Sequence, residues 1–106
     1  MAYIESGLHL RVVAAQVANR LSKVADQLEQ AGSPEEFATA IAENQGLWLS
    51  LRHSSPHLAR RLPERMLRAA LSLSDPGLPR LDDHKIELLI GIDRQASAFI
   101  ADSASP

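Results

Sequence analysis

Cysteine is absent from this chain of 106 residues. That excludes disulfides, thiolate metal sites and cysteine nucleophiles, and it agrees with a reducing compartment. Aromatic side chains are scarce, since Tyr3, Phe37, Trp48 and Phe99 are the whole set. Leucine and alanine must therefore do most of the packing, and both lose little freedom in a helix. Strand-like alternation appears nowhere along the chain. Long apolar runs are missing too. The longest, Leu88 to Ile92, is five residues and contains Gly91, far short of the ~20 needed to span a bilayer. The start, Met-Ala-Tyr-Ile-Glu-Ser, has neither a basic n-region nor an apolar h-region, so no secretory signal is expected. These absences point to a soluble cytoplasmic protein with no membrane contact.

What is present fits a globular domain. Hydrophobic residues make up 45% and charged residues 23%, inside the ordinary range. Residues 1–106 are expected to form a single helical domain, with 1–5 and 102–106 frayed. The net charge of −2 says little, but its distribution is uneven. Residues 1–51 carry three basic and six acidic side chains, and residues 69–106 carry the same numbers. Between them, Arg52, Arg60, Arg61, Arg65 and Arg68 face a single Glu64. A +4 block thus lies between two −3 blocks.

Periodicity predicts an all-α bundle of about four helices and a short connector, led by a long N-terminal helix. Leu10, Val13, Val17, Leu21, Val24, Leu28 and Ala31 recur at intervals of three and four from about Ser6 to Ala31. Gly32 stands where a left-handed terminal glycine would end that helix. Ser33-Pro34-Glu35-Glu36 then reads as a capping box with proline at the first helical position. The second helix would bury Phe37, Ala40, Ile41, Asn44 or its neighbours, Leu47, Trp48 and Leu51, and its interior Gly46 suggests close approach of another backbone. Ser55-Pro56 opens the connector. Pro63 starts a helix bearing Met66, Leu67, Ala70, Leu71 and Leu73. Ser74-Asp75-Pro76-Gly77 is a turn signal. Asp82 or Asp83 caps the last helix, which presents Ile86, Leu89, Ile90, Asp93, Ala96 and Ile100 at helical spacing.

No residue set suggests catalysis, a cofactor or a metal. There is no nucleophile elbow, phosphate loop or dinucleotide fingerprint. His53 and His57 are four apart, but Pro56 lies between them, and a solvated pair is the simpler reading. His9 and His84 are isolated. Arg61, Arg65 and Arg68 fall at i, i+4 and i+7, so on one helix they would form a stripe able to meet phosphate or an acidic protein. No interleaved aromatics accompany it for base stacking. A solvated face balanced by Glu64 is the plainer reading of the same residues.

Three segments carry a family resemblance. Ala40-x-x-x-Asn44-x-x-Leu47-Trp48-x-x-Leu51 resembles the central Asn-x-x-Leu-Trp-x-x-Leu signature of the FlaF family, small helical regulators of flagellar biosynthesis in alphaproteobacteria. Leu62-Pro63, followed by Leu67-Arg68-Ala69, Leu71 and Leu73, is similar to that family's Leu-Pro-x-x-Leu-Arg-Ala segment with one extra residue. Ile92-Asp93-Arg94-Gln95-Ala96-Ser97 is close to its hydrophobic–polar–Arg-His-Thr-Ser stretch, with Gln95-Ala96 in place of His-Thr. In the family the second and third segments share one helix, whereas here Ser74 to Leu81 separates them.

The resemblance implies a non-enzymatic regulator that supports flagellin production or export, engages flagellin directly and works alongside a second regulator, FlbT. Asn44, Leu47, Trp48 and Leu51 are the matching central positions, and Arg68 matches in the second segment. These four central residues, with Arg61, Arg65 and Arg68, are the candidate partner-binding positions. Two readings from other classes stand beside this one. One is an RNA-binding regulator using the stripe from Arg60 to Arg68. The other is an adaptor that self-associates through its first helix.

Overall fold

Alanine at buried positions decides how the helices of this protein approach one another. The computed structural model describes residues 2–75 and 82–104, with side chains described for 11–75 and 82–102. It contains five helices and, among the described residues, no strand. They are α1 (Ala2–Gln30), α2 (Pro34–Ser54), α3 (Pro56–Ala59), α4 (Glu64–Leu73) and α5 (Asp83–Ala104). The expected connector is itself a one-turn helix, α3. The backbone is helical from Ala2 and through to Ala104, in stretches expected to fray; neither 2–5 nor 101–104 holds a glycine or proline to break it. The prolines and glycine of the 76–81 turn and the side chains of His9 and Leu10 lie outside the described residues.

Helix α1 sets the long dimension. At ~1.5 Å per residue its 29 residues reach most of the 50 Å length of the molecule, which is 23 and 18 Å across. Its most extensive contact is with α5, and it also packs on α2. The pairing with α5 is antiparallel. Ser97 Oγ donates to the Ala18 carbonyl at 2.7 Å, while Arg94, one turn earlier, reaches Asp26 and Glu29 further along α1. A hydroxyl touches a neighbouring helix backbone only where the facing side chains are small, and Ala14, Ala18 and Ala96 are all buried.

That close approach corrects the expected stripe in one respect. Leu21, Val24 and Leu28 are buried as the spacing predicts. Toward the N-terminus, however, the buried line runs through Ala18 and Ala14, leaving Val17 and Val13 only partly covered. The seam follows the small residues, because valine there would hold the two helices apart.

Only the Ser33 half of the expected capping box forms, because the Glu36 side chain reaches one residue past Ser33. Ser33 Oγ accepts from the Glu36 N–H at 3.1 Å, and Glu36 Oε2 accepts in turn from the Gly32 N–H at 3.0 Å. Gly32 does not adopt the left-handed conformation expected of it, since no described glycine has a positive φ. Its amide takes the Glu36 bond that a capping box would give to Ser33. Gly46 differs as well: a Cβ built there meets nothing within 4 Å, so no backbone crowds α2 at that point.

Ala40, Ile41, Asn44, Trp48 and Leu51 are the buried face of α2, with Phe37 and Leu47 partly covered. Leu58 of α3, Leu62 just before α4 and Ala70 of α4 close the core, together with Leu89, Ile92, Ala96 and Ile100 of α5. Asp82 is the residue that caps α5, accepting from the Lys85 N–H at 2.8 Å. No helix among the described residues is long and apolar enough to cross a membrane.

Candidate functional site

Asn44 and Asp93 occupy apolar faces of their helices, and a polar group there needs a partner. The fold makes them each other's partners. Asn44, Trp48, Asp93 and Ser74 all have zero exposure. The Trp48 indole N–H donates to Asp93 Oδ1 at 2.9 Å. With its nitrogen turned toward Asp93, the Asn44 carboxamide donates to Oδ2 and, at 3.0 Å, to Oδ1, while its oxygen accepts from Ser74 Oγ at 3.2 Å. The Ser74 hydroxyl also lies 2.7 Å from Gln45 Oε1 and 2.6 Å from the Ala70 carbonyl, so its single proton has three acceptors within reach and serves one at a time. One interior network therefore joins α2, the end of α4 and α5.

The spacing of α2 produces this arrangement. Asn44 and Trp48 are one turn apart and project from the same face, so both reach a single carboxyl on α5. Burial raises the Asp93 pKa from its ordinary 3.8 to about 7, because removing a carboxylate from water outweighs the opposing pull of the Trp48 hydrogen bond and of Arg94. A carboxyl titrating near neutrality often marks a catalytic acid or base, but this one has no exposed surface. Its chemistry here is to hold three elements in register and to carry a proton.

Of the proposed partner-binding residues, Asn44, Trp48 and Leu51 are therefore interior, and Leu47 is partly covered near the seam between α1 and α2. Asn44, Trp48 and Leu51 pack the interior, and Leu47 keeps part of its surface open beside that seam.

The arginines are outside but do not form the expected stripe. Arg60 follows α3, Arg61 lies in the turn, and only Arg65 and Arg68 belong to α4. Pro63 is the physical reason: it stands at the N-cap of α4 with ψ of 135°, which breaks the helical phase between Arg61 and Arg65. Arg68 pairs with Glu64 at 2.7 Å within α4, both side chains being well exposed. His53, His57 and His84 are exposed, and no group of three metal-binding side chains exists among the described residues.

Sequence reasoning placed Asp93 on the buried face of the last helix but did not connect it to Trp48. It read Ser74 only as a turn residue. The signal available was that two polar residues, Asn44 and Asp93, each interrupt a buried apolar stripe. A second feature had no sequence signal: Arg94 bridges Asp26, at 3.1 Å, and Glu29 across α1 and α5. Those two carboxylates hold its guanidinium pKa above the ordinary arginine value, Glu29 contributing most.

Comparisons with protein-family models, with curated proteins and with solved structures found no match.

Proposed function

We propose that this protein is a non-enzymatic partner-binding regulator of the FlaF type, acting in the cytoplasm to support flagellin synthesis or secretion by binding flagellin as a chaperone does, alongside an FlbT-like regulator. The observation that supports this reading is the meeting of two of the resembling segments. Asn44 and Trp48 from the first both bond Asp93 from the third. Residues that recur together in a motif have a physical reason to do so when they satisfy one another inside a core. On this reading the motif records a scaffold, and the partner is met elsewhere on the surface.

Calorimetry of the purified protein with flagellin tests the reading directly. Micromolar binding to flagellin, with loss of secreted flagellin when the gene is deleted, is the expected result. No heat of binding at tens of micromolar, or unchanged motility on deletion, would overturn it.

A further inference from the structure

We propose that the open groove bounded by the end of α2, by α3 and by the start of α4 is a docking site for an acidic, amphipathic helical segment of a partner protein. The groove is lined by Pro56, Ala59, Leu62 and Leu67, with Arg52, Arg60 and Glu64 around them. Its floor is apolar and its rim is mainly cationic.

Among the described residues, three of the cations at this end of the molecule are left unpaired by the fold. Arg94 is held by Asp26 and Glu29, and Arg68 by Glu64, whereas Arg52, Arg60 and Arg65 make no ion pair among the described residues. The helix dipole accounts for only one of the three. Arg52 lies in the last turn of α2, where positive charge is favoured. Arg65 sits in the first turn of α4, where the dipole disfavours a cation, and Arg60 follows a helix of one turn whose dipole is small. Arg65 lies outside the groove, whereas Arg52 and Arg60 line it, and their unpaired positive charge beside an apolar floor, in a chain of net charge −2, is complementary to an external anion.

The floor decides which kind of anion. Nucleic acid is bound through phosphates, with aromatic platforms for its bases, and no aromatic side chain lines this groove. A helical peptide satisfies both parts at once. Its apolar anchors fill the strip between Pro56 and Leu67, and its carboxylates meet the guanidinium forks of Arg52 and Arg60. The proposal rests on the partner-binding reading above, but not on flagellin being the partner.

The test uses the full chain, isotopically labelled for NMR, titrated with three probes. They are a Leu/Glu amphipathic helical peptide, its Leu/Lys counterpart and a single-stranded oligouridine RNA. The acidic peptide alone should bind, shifting the amides of Arg52, Ala59, Arg60 and Leu67. Arg52→Glu combined with Arg60→Glu should weaken it about tenfold or more. Both side chains are exposed, so the fold should survive, and circular dichroism checks this. Arg65→Glu supplies a second variant, expected to weaken binding less.

Absence of binding, equal binding of the Lys peptide, shifts confined to other faces, or displacement of the peptide by RNA would overturn the proposal. So would self-association abolished by the same double substitution, since that gives the groove to a second copy. The two readings fail separately. If the peptide binds here but flagellin does not, the groove stands and the flagellin reading falls. If the double variant still binds flagellin undiminished, the groove falls and the flagellin reading stands.

Discussion

The indole of Trp48 donates to the carboxylate of Asp93, 45 positions later in the chain, across 2.9 Å of fully buried interior. This contact fixes α2 against α5, two helices whose backbones otherwise scarcely meet. The apolar body of Trp48 fills the core, and its single polar atom shares with the Asn44 carboxamide the task of satisfying a buried acid. Replacing a buried aromatic of this size with alanine costs about 3–5 kcal/mol from lost packing alone.

Protonation of Asp93 should make folding stability depend on pH. The native carboxyl titrates at about 7, against 3.8 ordinarily. The native state therefore binds the proton more tightly than the unfolded chain, and protonation favours the fold. This contribution is complete below about pH 4 and falls by at most ~1.4 kcal/mol per pH unit as pH rises through the window, and it is lost above about 7. Asp93→Asn should flatten that dependence. The Asn44 carboxamide can turn over to accept from the new amide while donating to Ser74. Urea unfolding of both proteins at several pH values checks this, the wild type gaining on the variant as pH falls from 8 to 5.

Gly46→Ala should stabilise the protein. Gly46 is exposed inside α2, and a Cβ there meets nothing within 4 Å. With no clash to offset it, the gain in helix propensity is about 0.5–1 kcal/mol. Thermal unfolding should show a higher midpoint. A lower one would mean that the surface beside Leu47 is tighter than the geometry indicates.

Arg94→Ala should loosen α5 from α1 only slightly in spite of two acidic partners. All three side chains are substantially exposed, so each pair is screened by water and the loss should be small. The difference between wild type and variant should shrink as salt is raised, which denaturation in low and high salt measures.

Much of the helical layout was legible because its signals are local. Ser33-Pro34 and Asp82 mark helix starts through hydrogen bonds spanning three residues, and the apolar spacing of α2 named its buried face. What was not legible depends on neighbours distant in sequence. Whether α1 buries Val17 or Ala18 is decided by how closely α5 approaches, and that is set by Ala96 and Ser97 far down the chain. The phase break at Pro63 was written in the sequence, since a residue before proline leaves the helical region. Yet counting Arg61, Arg65 and Arg68 at helical intervals ignored it. The candidate site was only half visible: Asn44 and Trp48 stood out as a pair, but nothing local showed that Asp93 would lie between them.

The burial of Asn44 and Trp48 also governs how genetic experiments on this protein should be interpreted. Alleles at those positions would empty the cell of the protein through degradation, because a loss of a few kcal/mol approaches the whole stability of a small domain. They would behave as temperature-sensitive nulls, rescued by growth in the cold. With the groove as the docking site proposed above, alleles between α2 and α4 would leave the protein abundant but inactive at every temperature. Immunoblots of a mutant collection would thus sort scaffold from contact before any partner is purified.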